Sequence, residues 1–91
     1  MARIIRLTPG YLRSFRRLKL DRSRAAIGVV ASSLGRDELP GRTDFETIMP
    51  QSLRVWARRA PGANLWLYYS FDANEVRVLT VPPVPPVPID G

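Results

Sequence analysis

The sequence lacks two residue types on which much protein chemistry depends, since it contains no cysteine and no histidine. The absence of cysteine excludes disulfide bonds and thiolate metal sites, and it suits a reducing compartment. The absence of histidine removes the usual general base at neutral pH and most zinc sites. Any catalysis would therefore depend on arginine, lysine, tyrosine or carboxylate side chains, and we expect no metal or other cofactor.

Long apolar runs are also absent. No stretch approaches the ~20 apolar residues that a membrane-spanning helix needs, and the N-terminal residues include Arg3 and Arg6 without an apolar signal core. We therefore expect a cytoplasmic protein with no membrane partner. The 91 residues, 45% of them hydrophobic, are enough for a single domain over residues 1–81, followed by a proline-rich extended tail over residues 82–91.

Acidic residues are scarce, with 8 against 14 basic residues and a net charge of +6. The excess is concentrated in the first quarter of the chain, where Asp21 is the sole acidic residue and the basic residues are Arg3, Arg6, Arg13, Arg16, Arg17, Lys19, Arg22 and Arg24. Such clustering favours an anionic partner, either nucleic acid or an acidic protein. The alternative is a charged surface that serves solubility.

The most informative stretch is residues 65–81, which predicts a β-hairpin. Residues 65–71 are almost all aromatic or large aliphatic, and residues 75–81 are rich in β-branched side chains. Between them, residues 72–74 suit a tight turn. Because the first strand is apolar on both faces, we expect it in the middle of a sheet, paired antiparallel with the second.

The N-terminal residues predict a strand followed by a basic helix. The strand covers residues 3–7, and Thr8 and Pro9 are typical of a helix start. Within the helix, one face is apolar and the other basic: the apolar residues are Leu12, Phe15 and Leu18, and the basic ones are Arg13, Arg16 and Arg17. The three arginines are candidate nucleic-acid contacts, and the alternative is an ordinary solvated helix face.

A second helix is predicted over residues 22–34. Asp21 would cap it, its wide apolar stripe would be largely buried, and Gly35 would end it in a left-handed conformation. Since only the break at residues 19–21 separates the helices, we expect an antiparallel helical hairpin. One continuous helix over residues 9–34 is the alternative.

Residues 36–50 predict an irregular loop held to the core by Phe45 and Ile48, because the segment mixes proline, glycine and charge. Residues 59–64 predict a turn around Pro61 and Gly62.

The intervening segment, residues 52–58, alternates as a half-exposed strand does. Leu53, Val55 and Ala57 would face inward, and Arg54, Trp56 and Arg58 would face outward. This outward set would stack on a base and neutralise phosphates. Alternatively, it is a packing ladder in which arginine stems cover Trp56.

The proline-rich tail over residues 82–91 predicts polyproline II conformation. It would lie along its own domain or be ordered by a partner, or it would serve as a ligand for an aromatic groove. The whole order predicts a two-layer α+β fold: an N-terminal strand at the sheet edge, a helical hairpin on one face, and a three-stranded antiparallel meander (β-α-α-β-β-β).

This order, together with the size and basic charge, resembles the RelE/ParE superfamily of toxins from bacterial type II toxin–antitoxin modules. The resemblance covers residues 2–81. The motifs that carry it are Ile4-Ile5-Arg6-Leu7-Thr8-Pro9, Leu12-Arg13-Ser14-Phe15-Arg16-Arg17-Leu18, Leu53-Arg54-Val55, Leu65-Trp66-Leu67-Tyr68-Tyr69 and Glu75-Val76-Arg77-Val78-Leu79.

The resemblance implies a toxin that a cognate antitoxin neutralises. One branch of the family cleaves mRNA on the ribosome without a metal, using arginine, lysine and tyrosine side chains. Guanidinium groups suit this reaction because they stabilise charge that builds on phosphate. The other branch inhibits DNA gyrase by protein contact, and a non-catalytic binding module on the same fold is a further alternative.

Within the mRNA-cleaving interpretation, the candidate catalytic residues are Arg54, Arg58 and Arg59. Trp56 joins the three helical arginines as a candidate nucleic-acid contact. The chain departs from the family pattern at two places. Asn64-Leu65-Trp66 stands where nuclease members usually carry an arginine, and Pro82-Pro83-Val84-Pro85 stands where a basic or tyrosine-bearing segment usually follows the last strand.

Overall fold

In the computed structural model, which describes residues 2–50 and 53–89, the chain forms two helices and a five-stranded mixed sheet. The elements in chain order are β1 (Ile4–Leu7), α1 (Pro9–Arg16), α2 (Asp21–Ser33), β2 (Phe45–Met49), β3 (Leu53–Arg59), β4 (Trp66–Phe71) and β5 (Glu75–Thr80). The strands lie in the order β1-β5-β4-β3-β2. The predicted α+β class is confirmed.

The predicted hairpin is confirmed as β4 and β5, which pair antiparallel, and β4 lies in the middle of the sheet. Its turn depends on the side chain of Asp72. One carboxylate oxygen, Oδ1, accepts hydrogen bonds from the backbone N–H groups of Asn74 at 2.8 Å and Glu75 at 2.9 Å. Local side-chain chemistry of this kind is readable from sequence.

The predicted three-stranded meander is incomplete. β3, β4 and β5 do pair antiparallel in succession, and β1 joins the edge beside β5, in parallel. The sheet has a fifth strand, however, because β2 pairs antiparallel with β3 at the opposite edge.

The prediction of an irregular loop over residues 36–50 is therefore wrong for its last third. Phe45–Met49 is a strand whose register with β3 runs from Phe45 opposite Ala57 to Met49 opposite Leu53. Ile48 is 53% exposed and does not hold this segment to the core. The strand forms because its neighbour supplies the hydrogen bonds, and a five-residue segment before a proline carries little of that signal itself.

The two helices are separate, so the alternative of one helix over residues 9–34 is wrong. Asp21 is the first helical residue rather than the cap, and the cap position is Leu20, which makes no side-chain capping hydrogen bond. Gly35 does not have the predicted left-handed conformation. A Cβ there would lie 2.9 Å from Cδ1 of Ile5, so the close approach of β1 accounts for glycine at this position.

The buried faces of both helices are narrower than predicted. In α1 the buried residues are Tyr11 and Ser14, while Leu12 is 41% exposed. The cost of burying Ser14 is offset because its hydroxyl accepts a hydrogen bond from the N–H of Val81, at 2.9 Å. In α2 the buried residues are Ile27, Val30 and Ala31.

The sheet has two covered faces, which we call the helix face and the second face. On the helix face, both helices pack over alternate sheet residues that include Leu67, Tyr69, Val76 and Val78. On the second face a smaller cluster forms from Val55, Ala57 and Tyr68, with Phe45, Met49, Trp66 and Leu79 packed against it.

The outward assignment for β3 is wrong for two of its three residues. Trp56 is half-buried and packs against the helix-face core, and the Arg58 side chain is only 12% exposed. The helices cover the face that the alternation alone assigns to solvent. Leu53, predicted to face inward, is 56% exposed, and Ser52 lies outside the described residues.

The proline-rich tail, described to Ile89, lies along its own domain. Its carbonyl at Val87 accepts a hydrogen bond from Oγ1 of Thr47 at 2.8 Å, and its N–H at Ile89 donates to the carbonyl of Glu46 at 3.0 Å. Both partners belong to β2. Among the described residues, neither helix has the length and apolar character required to cross a membrane.

Candidate nucleic-acid interface

The N-terminus of α1 is held firmly against β5, and this attachment positions the basic side of the helix. Oγ1 of Thr8 accepts a hydrogen bond from the N–H of Tyr11 at 3.3 Å, as predicted for the cap, and it donates to the carbonyl of Val78 at 2.8 Å. One side chain therefore caps the helix and ties it to the last strand.

Beside this helix lies an open cleft of about 500 Å³, which we call the α1 cleft. It forms where the end of β5 passes between α1, the end of β2 and the start of the tail. It is lined by Gly10, Arg13, Ser14 and Arg17, by Tyr68, Leu79 and Thr80, and by residues 48–50 and 82–84.

Arg13 and Arg17 bring two positive charges to the rim of the α1 cleft. They are four residues apart, so they lie on one side of the helix. Both are exposed, and within residues 2–50 and 53–89 neither forms an ion pair. Arg16, the third arginine of the predicted set, is exposed but does not line the cleft. Among residues 2–50 and 53–89, no acidic side chain lines the cleft to neutralise the two guanidinium groups.

Tyr68 brings a phenol to the same cleft. The register of β4 against β5 shifts between Tyr68 and Tyr69, so that Tyr68 lies opposite Thr80 while Tyr69 lies opposite Val78. Such a bulge redirects side chains at the end of a ladder. Burial raises the pKa of Tyr68 above its ordinary value, which already lies well above neutral pH. The phenol is therefore protonated and able to donate a hydrogen bond.

Arg58, one of the predicted catalytic arginines, is engaged in a buried network that we call the Asp44 cluster (Asp44, Arg58 and Tyr69). Nε of Arg58 lies 3.0 Å from both carboxylate oxygens of Asp44, and Nη2 lies 2.9 Å from Oδ2. Nη1 donates to Asp37 at 2.7 Å and to Ser33 at 3.2 Å. Four of the five N–H donors of Arg58 are therefore engaged by protein partners, and they connect the sheet to α2 and to the loop that follows it.

The electrostatics of the Asp44 cluster favour the charged pair. Burial opposes ionisation of Asp44, but hydrogen bonds from Arg58, Tyr69 and the N–H of Gly41 outweigh it and hold the pKa of that carboxyl below its ordinary value. Burial, followed by the hydrogen bond to Asp44, raises the pKa of Tyr69. Tyr69 thus remains a neutral donor to a carboxylate that is only 1% exposed.

The other two predicted catalytic arginines, Arg54 and Arg59, do not form a single anion-binding site together with Arg58. Arg59 is exposed, donates to the carbonyl of Ala63 at 3.2 Å and lies 5.9 Å from the ring centre of Trp66. Arg54 is exposed on β3. Arg58 and Arg59 do border a second cleft, but Asp37, Glu38 and Asp44 border it as well. This mixture of charges suits a polyanion less well than the α1 cleft does.

Trp56 is half-buried. Because it packs into the helix-face core, the structure favours the packing alternative over a base-stacking platform. The residue that sequence reasoning missed is Tyr68, which adjoins Tyr69 but lies on the second face. Because side chains alternate along a strand, the sequence could have placed Tyr68 and Tyr69 on opposite faces of β4. It could not show which of the two tyrosines lies near the basic helix, because that depends on the packing of α1.

In the part of the chain that the structure describes, no three histidine, cysteine, aspartate or glutamate side chains converge to hold a metal ion. Comparison of the chain with protein-family models, with curated proteins and with solved structures finds no significant match.

Proposed function

We propose that the protein is the toxin of a type II toxin–antitoxin module and that it acts on translation by binding mRNA in the α1 cleft. The observation that carries this proposal is the pair Arg13 and Arg17, two guanidinium groups that are unpaired, on a cleft without acidic lining, among the residues that the structure describes. Polyanions bind such a surface because each phosphate contact releases condensed counterions. The sequence resemblance supplies the toxin class.

Three side chains of the α1 cleft support the proposal of metal-independent RNA cleavage. Arg13 and Arg17 would stabilise the charge that builds on a phosphate during attack by the 2′-hydroxyl, whose proton would pass to solvent water. Tyr68, protonated at neutral pH, would donate a hydrogen bond or a proton to the leaving oxygen. In this proposal Arg58 has a structural role, and the site of chemistry lies beside α1 instead of on β3.

The sheet edge at β1, which lies opposite the β2 edge, favours a protein partner. β1 is an edge strand whose apolar side chains are open to solvent, with Ile4 66% and Leu7 49% exposed. Beside it, Ile5, Leu7, Tyr11 and Ala31 contribute to a groove of about 330 Å³. Exposed apolar surface next to an open strand edge suits a bound segment of a cognate antitoxin. The same surface favours the second candidate function, inhibition of DNA gyrase by protein contact.

The test is controlled expression in a bacterial host. We expect soluble wild-type protein to arrest growth and the double variant Arg13→Glu/Arg17→Glu to relieve the arrest. The matched control is Arg16→Glu against Arg17→Glu, because both positions lie at the end of α1 and carry the same charge change, but only Arg17 lines the cleft. Healthy growth under strong induction of soluble wild-type protein would contradict the toxin proposal.

The cellular target is identified from the state of the transcripts and the DNA supercoiling in the arrested cells. Cleaved transcripts that disappear with Arg17→Glu indicate action on mRNA. Intact transcripts together with loss of negative supercoiling indicate gyrase, and would replace the first candidate by the second. Equal toxicity of Arg17→Glu and Arg16→Glu would show that the α1 cleft is not the site.

A further inference from the structure

The proline-rich tail forms one wall of the α1 cleft and then crosses the sheet. It leaves β5 at Val81, which is buried, and residues 82–84 line the cleft. Val87 and Ile89 are then hydrogen bonded to β2, at the far edge of the sheet. The tail therefore begins at one side of the cleft and ends beyond it.

The path of the tail lies over the second face. β5 and β2 are separated by β4 and β3, so the tail must cover three strand spacings, or about 14 Å. Residues 82–87 in polyproline II conformation span about 19 Å, which is sufficient. Thr47, which holds Val87, lies two residues from Phe45 and from Met49, and both pack against the cluster that contains Tyr68. The tail thus passes over the face on which Tyr68 lies.

The attachment of the tail weakens beyond Val81. No residue from 82 to 89 is fully buried, and Val84 and Val87 are 66% and 77% exposed. The contacts with β2 include two neutral hydrogen bonds, one at Val87 and one at Ile89. Five of these eight residues are prolines, which have no N–H to leave unpaired when the segment is released.

We propose that residues 82–89 are a displaceable strap that partly closes the α1 cleft, so that a single-stranded nucleic acid binds fully only after the strap has left β2. This inference rests on the proposed function of the cleft and adds its regulation. The strap competes with the ligand for space above Tyr68 and Thr47. A chain without the strap is then the tighter binder.

Opening of the strap is measured first without nucleic acid. The chain contains no cysteine, so Met49→Cys places a single thiol on a half-buried residue that lines the cleft. We expect a thiol reagent to label this position about tenfold faster when residues 85–91 are deleted. A factor of about ten corresponds to the net loss of one or two neutral hydrogen bonds. An unchanged labelling rate in the folded, truncated chain would overturn the strap.

A second variant keeps the full chain. Ile89→Pro removes the N–H that donates to Glu46, and Ile89→Val keeps it. Labelling of the Met49→Cys thiol should be faster with Ile89→Pro than with Ile89→Val. Equal rates in these two full-length chains, like an unchanged rate on truncation, count against a strap held at β2.

Binding is then measured with a short single-stranded oligouridylate. The truncated chain should bind about tenfold more tightly than the full chain, and Arg17→Glu in the truncated chain should remove this gain while Arg16→Glu should not. Equal or weaker binding by the truncated chain overturns the strap and leaves the proposed function standing. If neither chain binds the oligonucleotide, the proposed function of the cleft fails, and the gating role of the strap fails with it.

Discussion

Arg58 and Arg17 carry the same guanidinium group, and their surroundings give them different roles. Arg58 is surrounded by Asp44, Asp37 and Ser33, and its side chain is 12% exposed. Arg17 is exposed on the rim of a cleft that no acidic side chain lines in the described part of the chain. A guanidinium with four of its five N–H donors engaged by protein partners has little capacity left for a phosphate, whereas an unpaired one retains all five.

The Asp44 cluster predicts a large effect of one small substitution. Asp44→Asn removes the negative charge and leaves Arg58 buried without its main counterion, so we expect a loss of about 3–5 kcal/mol in the free energy of unfolding. The matched control is Asp21→Asn, which removes a fully exposed carboxylate from the surface pair with Arg24 and should cost less than about 1 kcal/mol. Urea denaturation of both variants measures the difference. Equal losses would show that the cluster is not a buried ion pair in solution.

The same residue predicts a dependence of stability on pH. Because the pKa of Asp44 is lower in the folded state than in the unfolded state, its contribution is present above the unfolded value of about 3.9 and is lost as the pH falls through the folded value. The gap in stability between wild type and Asp44→Asn should therefore be constant above about pH 5 and should narrow at lower pH. A gap that stays constant down to pH 2 would contradict this assignment.

At the scale of elements, α1 depends on a single residue at its start. Thr8 caps the helix through Tyr11 and joins it to the carbonyl of Val78. This attachment sets the position of Arg13 and Arg17 over the cleft. The turn before β4 depends likewise on Gly62, whose φ of 71° lies in the left-handed region that glycine favours.

Thr8→Ala removes both the cap and the hydrogen bond of the hydroxyl to β5, so we expect the free energy of unfolding to fall by about 1–2 kcal/mol. The backbone N–H of residue 8 still donates to the carbonyl of Val78. Thr8→Ser keeps the hydroxyl and should lose much less. Thermal and urea denaturation of the two variants give the comparison. If Thr8→Ser is destabilised as much as Thr8→Ala, the methyl group of Thr8 matters and its hydroxyl does not.

At the scale of the whole molecule, the net charge of +6 links binding to stability. A domain of this size is marginally stable, and a ligand that binds the folded state alone stabilises it by mass action, by about 2.7 kcal/mol at a concentration 100 times its Kd. A charged ligand should do so less at high salt.

We therefore expect a single-stranded RNA oligonucleotide to raise the Tm at low ionic strength and to lose this effect at high salt. A peptide nucleic acid of the same sequence, which has bases but no phosphates, is the control and should leave the Tm unchanged. A shift that survives high salt, or that the uncharged analogue reproduces, would indicate binding through the bases or apolar surface instead of through phosphate.

The sequence alone determined the features that depend on neighbours in the chain. The start of α1 at Thr8 and Pro9, the break between the helices, and the turns at residues 61–62 and 72–74 all follow from local hydrogen bonding or backbone preference. The hairpin of β4 and β5 was readable for the same reason, since a short turn brings its strands together. The α+β class followed from the order of these elements.

The tertiary structure decided what depends on residues far apart in sequence. β2 exists because β3 pairs with it, and α2 and the following loop decide that Arg58 meets Asp44, 14 residues away, and Asp37, 21 residues away. Alternation in β3 showed that it has two faces but not which face the helices cover. Tertiary packing likewise decides that one cleft contains Arg13, Arg17, Tyr68 and the start of the tail. Chain neighbours set local conformation, whereas burial and charge pairing are set by contacts that only the folded chain makes.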